Sequence, residues 1–424
     1  MINRKSTHYT QFFSILLFTL IGLFFCNIQA VLSQNGQPGN KKIISKNEIF
    51  SDSKASSRKR ESLHNATTKY TIPTIDLEKG IQATVNSIPK EFIKNIDYVA
   101  LENRNECDMN NIKKVIITKK FILICNYPGL YQFNTKGEFI RKIGKQGNGK
   151  NDYKDVQDFV ADTINKTIIV LDENARKLLY FSFEGKFIKS NDTIPEYSDG
   201  IEMCESQRLL IHIANPKGNS KYRYVFINNI GQVINTITNP ISFKPKRKIV
   251  DLFDKEGYTY QLNGILHVMD ILCDTIYAVN KNYSLTPKYL LHSGKYKFSP
   301  DYRFNYFDLF DSKNIYALPG SIFESSNYIM IKVDIGLNAR YIFYNKLTKK
   351  VVSVVSNEGL KNNFDGGGNI KPKTQFENTI YQVIEKKTIN TNLKEYNYSA
   401  DKKAKLNELM KSTNSKYILM KIYI

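Results

Sequence analysis

The run Gly144-Lys145-Gln146-Gly147-Asn148-Gly149-Lys150-Asn151 lies one residue away from a phosphate-binding loop of the form G-x4-G-K-[ST]. In such a loop, backbone N–H groups cradle phosphate oxygens and the closing hydroxyl ligates magnesium, a role the Asn151 amide cannot fill. The residues that follow, DYKDVQDFVAD from Asp152 to Asp162, also lack the apolar spacing of a helix that would aim its N-terminus at phosphate. The run is expected to be a loop between sheets, without nucleotide chemistry.

Three histidines fall in the body of the chain, His212, His267 and His292, each in a different repeat unit and within or beside a strand. Histidines placed this way read as core or surface residues, and a metal site would need all three to converge. The acid pairs Asp155/Asp158 and Asp251/Asp254 read as turn and loop carboxylates that accept backbone N–H groups, in preference to a general acid and base. No GxSxG, Ser/His/Asp order, CxxC or Cys/His cluster at zinc spacing occurs, so no catalytic residues and no cofactor are expected. The basic runs Lys244-Pro245-Lys246-Arg247-Lys248 and Ser57-Arg58-Lys59-Arg60 are of a kind that touches anionic glycans or lipid headgroups. Solvated charge is the plainer reading of both.

Any site here must be positioned by β-structure. Tyr (27) and Phe (25) are abundant and Trp is absent, and aromatics with Ile and Val favour pleated, half-buried surfaces. Beyond Thr71 a unit recurs: a β run, a short break, a second run ending in an aromatic, a tight turn with Gly, and a third run. It is read at Phe121 to Gly144, at Thr167 to Ser190 and at Leu209 to Ile237, with turn glycines Gly137, Gly185 and Gly231. That spacing suits one four-stranded blade of a propeller. Looser copies, without the turn glycine, run from Thr275 to Leu291 and from Tyr328 to Val355, and TIYQVI with KYILMKIYI supplies strands for a sixth. Residues 71–424 are thus expected to form a six-bladed β-propeller of four-stranded antiparallel blades.

The ends of the body complement each other. KYILMKIYI (Lys416 to Ile424) would leave an apolar edge, and the early IDYVALE (Ile96 to Glu102) has no hairpin mate, so pairing of the two is expected to close the ring. One short helical insertion is expected from Ala400 to Lys411, with Leu406, Leu409 and Met410 on one face. Cys125, Cys204 and Cys273 sit in apolar runs and read as buried thiols, while a Cys107–Cys125 bridge stays open.

Upstream, Arg4 and Lys5 precede the apolar run Phe12 to Phe25, which has the layout of a secretory signal within residues 1–30. Cleavage after Ala30 and lipidation at Cys26 are alternative ends for it. Residues 31–70 are polar and without periodicity, a flexible linker. The formal charge of +21 would raise nucleic acid as a partner, but an exported chain whose lysines are scattered through its loops does not form a nucleic-acid groove.

Gly137 to Ile188, which includes GEFIRKIGKQGNG and TIIVLDENARK, resembles the NHL-type propeller repeat. Together with IDLEK (Ile75 to Lys79), IDYVALE and ILMKIYI, it is similar to the six-bladed β-propeller proteins of the Bacteroidetes envelope, many of them lipoproteins. The resemblance implies a fold and a location, the periplasm or cell envelope with a lipid anchor as one option, and no catalytic residue. The expected function is a non-catalytic binding or scaffolding module whose partner is a protein, peptide or glycan. The rival is a propeller hydrolase or lyase with one central divalent metal.

Overall fold

Turn chemistry sets the hairpins. Gly137, Gly185 and Gly231 have φ of 90°, 78° and 88°, and each donates its N–H to the carbonyl three residues back, at Asn134, Ser182 and Asn228. Only glycine adopts that conformation without Cβ strain. At the matching point of a later hairpin stands Tyr283, with φ of 64° and the same bond to Asn280. There the turn persists although its sequence mark has gone.

The computed structural model of the chain describes residues 71–424, except 108, 110, 127–128, 193, 205–207, 245–252, 254, 301–316, 337 and 396–399. The expected signal (1–30), the linker (31–70) and Cys26 lie outside the described residues. Among the described residues no helix is long and apolar enough to cross a membrane.

The described chain opens with β1 (Thr74–Asp76), α1 (Leu77–Gln82) and β2 (Asn95–Leu101). One four-stranded sheet follows as β3 (Ile112–Ile117), β4 (Phe121–Asn126), β5 (Gly129–Asn134) and β6 (Phe139–Lys142). A second holds β7 (Asp158–Asp162), β8 (Thr167–Asp172), β9 (Lys177–Ser182) and β10 (Phe187–Asn191), and a third holds β11 (Ser198–Cys204), β12 (Arg208–Ile213), β13 (Tyr222–Ile227) and β14 (Val233–Thr238). Next in sequence come β15 (Gly257–Leu262), β16 (Ile265–Asp270), β17 (Thr275–Val279) and β18 (Leu285–His292). A further separate sheet is built from β19 (Ala317–Glu324), β20 (Tyr328–Ile335), β21 (Asn338–Asn345) and β22 (Val351–Val355). The chain ends with β23 (Thr374–Phe376), β24 (Thr379–Glu385), α2 (Lys386–Glu395), α3 (Ala400–Ser412) and β25 (Tyr417–Tyr423).

The fold is an all-β propeller with four-stranded antiparallel blades and few helices. Six separate blades were expected, and four stand as separate sheets. The other strands join in one nine-stranded sheet, β1-β18-β17-β16-β15-β23-β24-β25-β2, because a single parallel bridge between Gln261 and Phe376 links β15 to β23. Neighbouring sheets bury their faces against each other, as with Leu123, Phe159, Val170 and Phe181 in one cluster and Leu171, Ile201, Ile211 and Val225 in the next.

IDYVALE and KYILMKIYI pair as expected, antiparallel from Asn95 opposite Tyr423 to Leu101 opposite Tyr417. β25 also pairs with β24, so both of its edges are bonded. The expected helix is α3, but it is one of two. α2 carries little sequence signal, because KKTINTNLKE offers only Ile389 and Leu393 as large apolar residues, one turn apart; both are buried with Leu406, Met410 and Ile418. Cys107, Cys125, Cys204 and Cys273 are all free thiols, so the Cys107–Cys125 bridge is absent. Cys273 is half-buried, not a core thiol, and its sulfur accepts Arg223 Nη1 at 2.8 Å.

Before β2 the chain crosses the outside of two sheets. β1 adds in parallel to β18, the Asp76 side chain caps α1 by accepting Lys79 N–H at 2.8 Å, and Thr84 bridges to Ser353. Gly80 lets the helix lie close: a Cβ there would come within 2.7 Å of Val351 Cγ1.

Candidate functional site

β3, β7, β11, β15, β19 and β23 line one cavity of about 1650 Å³. Residues of both faces of β3 border the cavity, so its polar wall is made where a charged residue interrupts an apolar strand. Lys114 is such a residue within IKKVII.

Lys114 starts a chain of ion pairs that crosses four units. Its ammonium, although the residue is only 7% exposed, lies 3.0 Å from Asp158 Oδ1 and 2.8 Å from Glu202 Oε1, and donates to the Ile201 carbonyl at 3.2 Å. Asp158 Oδ2 is 3.1 Å from Lys255 Nζ, and Thr259 Oγ1 donates to Glu202 Oε1 at 2.7 Å. Burial alone would raise the Asp158 carboxyl, but Lys114 and Lys255 outweigh it and hold its pKa at about 2. Burial disfavours the Lys255 ammonium, yet Asp158 and Glu202 raise its pKa above the ordinary lysine value.

These carboxylates are compensated by lysines and do not converge as a cation cage. Among the described residues no group of three or more His, Cys, Asp and Glu is arranged to hold a metal ion. Asp158 does accept backbone N–H groups, from Phe159 at 2.8 Å and Ile201 at 3.2 Å, as expected of it. It stands in a strand, however, and not in a turn or loop, with two lysines as its charged partners. Asp155 pairs with Lys113 through Oδ2 at 3.2 Å, and its Oδ1 is buried with no hydrogen-bond partner among the described residues.

Beside the cavity, His212 ties two sheets together. Nδ1 bonds Asp199 Oδ1, and Nε2 lies 3.1 Å from Asp270 Oδ2. With a carboxylate at each ring nitrogen, both nitrogens must donate, which makes the ring an imidazolium. Burial disfavours that charge, but Asp199 and Asp270 overcome it and push the pKa up to about 10. Asp199 Oδ2 also accepts Glu256 N–H at 2.6 Å, and a Cβ on Gly257 would stand 2.3 Å from the His212 ring. His267 differs: it stacks on Tyr260 with centroids 4.6 Å apart, and burial and Lys288 lower its pKa to about 4. His292 lies in β18 opposite Asp76. The three histidines therefore have separate partners.

A second buried cluster centres on Glu324, which accepts Tyr260 and Tyr289 hydroxyls and pairs with Lys346. Burial would raise this carboxyl, and Lys346 holds it below its ordinary value.

The phosphate-loop lookalike is filled by its own chain. Gly149 N–H donates to Asp152 Oδ2 at 3.0 Å, Lys145 Nζ lies 3.7 Å from the same oxygen, and a Cβ on Gly147 would come within 2.3 Å of it. The Asp152 carboxylate thus occupies the place of an anion. Mg-ATP is accordingly expected to leave the melting temperature of the purified chain unchanged, since a ligand of the folded state must raise it. A reproducible rise, lost in Lys150→Ala, would contradict this.

Asp251, Asp254, Ser57-Arg58-Lys59-Arg60 and all of the Lys244–Lys248 run but Lys244 lie outside the described residues. Lys114, Asp199, Glu202 and Lys255 were not legible as site residues in the sequence. The signal that could have found them is a charge at an inward position of an apolar strand, or directly before one.

The model of a family described as "Domain of unknown function (DUF4934)" matches residues 72–420. No curated protein matches the chain. Among solved structures, a Bacteroides fragilis protein described as a candidate exported protein is 16% identical, with a TM-score of 0.63 over 84% of this chain and 99% of its own. A Bacteroides vulgatus member of the DUF4221 family is 11% identical, with a TM-score of 0.48 over 78% of this chain and 97% of its own. At 16% identity the first likeness shows the fold.

Proposed function

This chain belongs to the DUF4934 family, and from that premise we propose that it is an exported, non-catalytic β-propeller that holds a ligand in an axial cavity in the cell envelope. The observation that carries the reading is the cavity of about 1650 Å³, walled by six strands and crossed by lysine–carboxylate pairs. A binding site needs a preformed, mostly fixed wall with a few polar groups, and these pairs fix the wall. Carboxylates already neutralised by Lys114 and Lys255 are poorly placed to gather a catalytic divalent ion, which weighs against a propeller hydrolase or lyase.

We read the nine-stranded sheet as two further blades, one of β15–β18 and one of β23, β24, β25 and β2, bridged at their inner strands. With the four separate sheets this makes six, of NHL-like type, and the β2–β25 pairing closes the ring. Export is supported by the basic and apolar start of the sequence and by the description of the Bacteroides fragilis structure. Cys26 is the residue that a lipid anchor would use.

The test is a melting-temperature screen of the purified chain against size-fractionated envelope polysaccharides and peptides, followed by mass spectrometry of the bound fraction. A stabilising fraction recovered chemically intact, with an effect insensitive to chelators and lost in Ser321→Trp, is expected. Recovery of cleaved material, or stabilisation abolished by a chelator, would favour the metal-dependent enzyme.

A further inference from the structure

We infer that the cavity takes a neutral oligosaccharide. The inference rests on the cavity being the binding site, as proposed above, and adds the class of its ligand.

Charge comes first. Lys113 faces Asp155, Lys114 faces Asp158 and Glu202, Lys255 faces Asp158, and Lys332 faces Asp334 at 2.8 Å. An acidic or basic ligand that meets Lys114 or Asp158 must compete with their pairing and leave the displaced partner uncompensated, since both side chains are buried. A neutral polar ligand leaves them intact.

Hydrogen-bonding capacity narrows the class. Thr259 commits its proton to Glu202 and keeps lone pairs for a further donor. Thr374 accepts Val115 N–H at 3.0 Å and keeps its own proton for an acceptor. One wall thus asks for donors and acceptors side by side. A hydroxyl supplies both, whereas a carboxylate only accepts and an ammonium only donates.

Size and shape agree. The cavity exceeds the roughly 300–1,000 Å³ of sites for single small molecules, leaving room for several linked rings. Tyr258, Ile116 and Met203, all half-buried on the wall, offer apolar surface to the C–H faces of such rings.

Isothermal titration of the purified chain tests this with six probes of equal length. Three are neutral (maltohexaose, cellohexaose and mannohexaose), and the others are hexagalacturonate, hexaglucosamine and the capped peptide acetyl-(Ser-Gly)3-amide. At least one neutral hexasaccharide is expected to bind about tenfold or more tighter than both charged ones, with an affinity that added salt does not weaken. Thr374→Val should weaken it about tenfold, and Ser321→Trp should abolish it, in variants that melt as the parent does. Tighter, Ser321→Trp-sensitive binding of a charged hexasaccharide or of the peptide overturns the inference of a neutral oligosaccharide and leaves the cavity as the site. If no probe binds, or if Ser321→Trp has no effect, the inference and the binding-site reading both fall.

Discussion

Deleting Tyr417–Ile424 is expected to yield an insoluble chain. β25 lies between β24 and β2, and its loss uncovers both of their edges at once. Ile418, Leu419, Met420 and Ile422 are fully buried. At about 1.5–3 kcal/mol for each such side chain, their burial contributes roughly 10 kcal/mol, comparable with the whole stability of a typical folded protein. β2 would be left without a partner and β24 with one bare edge, the condition in which sheets aggregate edge to edge. Ile422→Asp is the milder form and should lower the denaturant midpoint without abolishing expression. A soluble, monomeric deletion with the parent's melting temperature would show that the two chain ends do not hold each other.

Replacing His212 by Ala is expected to cost about 3–5 kcal/mol, because Asp199 and Asp270 would remain buried without the cation between them. For a protein of this size that is a fall of about 4–7 °C in melting temperature. The pH dependence separates the clamp from a simple cavity effect. A pKa raised from 6.5 to about 10 by folding means that the charged ring stabilises fully below pH 6.5, and that this contribution drains away as pH rises through about 10. The parent should lose stability across that window more steeply than His212→Ala, in which thiols raised by burial still contribute a slope toward its upper end. Asp158 acts in the opposite sense: held at about 2, it stabilises above its ordinary 3.8, and the effect is lost as pH falls through about 2. Equal slopes for parent and variant above pH 6.5 would mean that His212 is not charged in the folded chain.

The two networks explain what the sequence conceals. The outer hairpins were legible because their turns need positive φ and Gly137, Gly185 and Gly231 provide it in apolar surroundings. The first strand of each sheet was not. IKKVII, DFVAD and SDGIEMC bring Lys113, Lys114, Asp158 and Glu202 to the cavity among apolar residues, and these charges interrupt the apolar pattern that identifies a strand. Their charges are tolerated only because the fold brings together positions 44 to 97 residues apart, as Lys114 with Asp158 and Asp158 with Lys255. No local window contains both members of such a pair. His212 looks like an isolated strand histidine in the sequence for the same reason, since Asp270 lies 58 residues away. Fold class follows from local turn and strand chemistry, whereas the buried centre of the candidate site, Lys114 with Asp158, Glu202 and Lys255, is made of long-range pairings.

The most direct measurement is a crystal structure of the chain grown with the tightest-binding hexasaccharide. The account predicts sugar density in the cavity, with a sugar oxygen within hydrogen-bond distance of Thr374 Oγ1 and the Lys114–Asp158–Lys255 pairs undisturbed. Density only on an outer strand or loop, or a cavity in which those pairs have separated to meet the ligand, would contradict it.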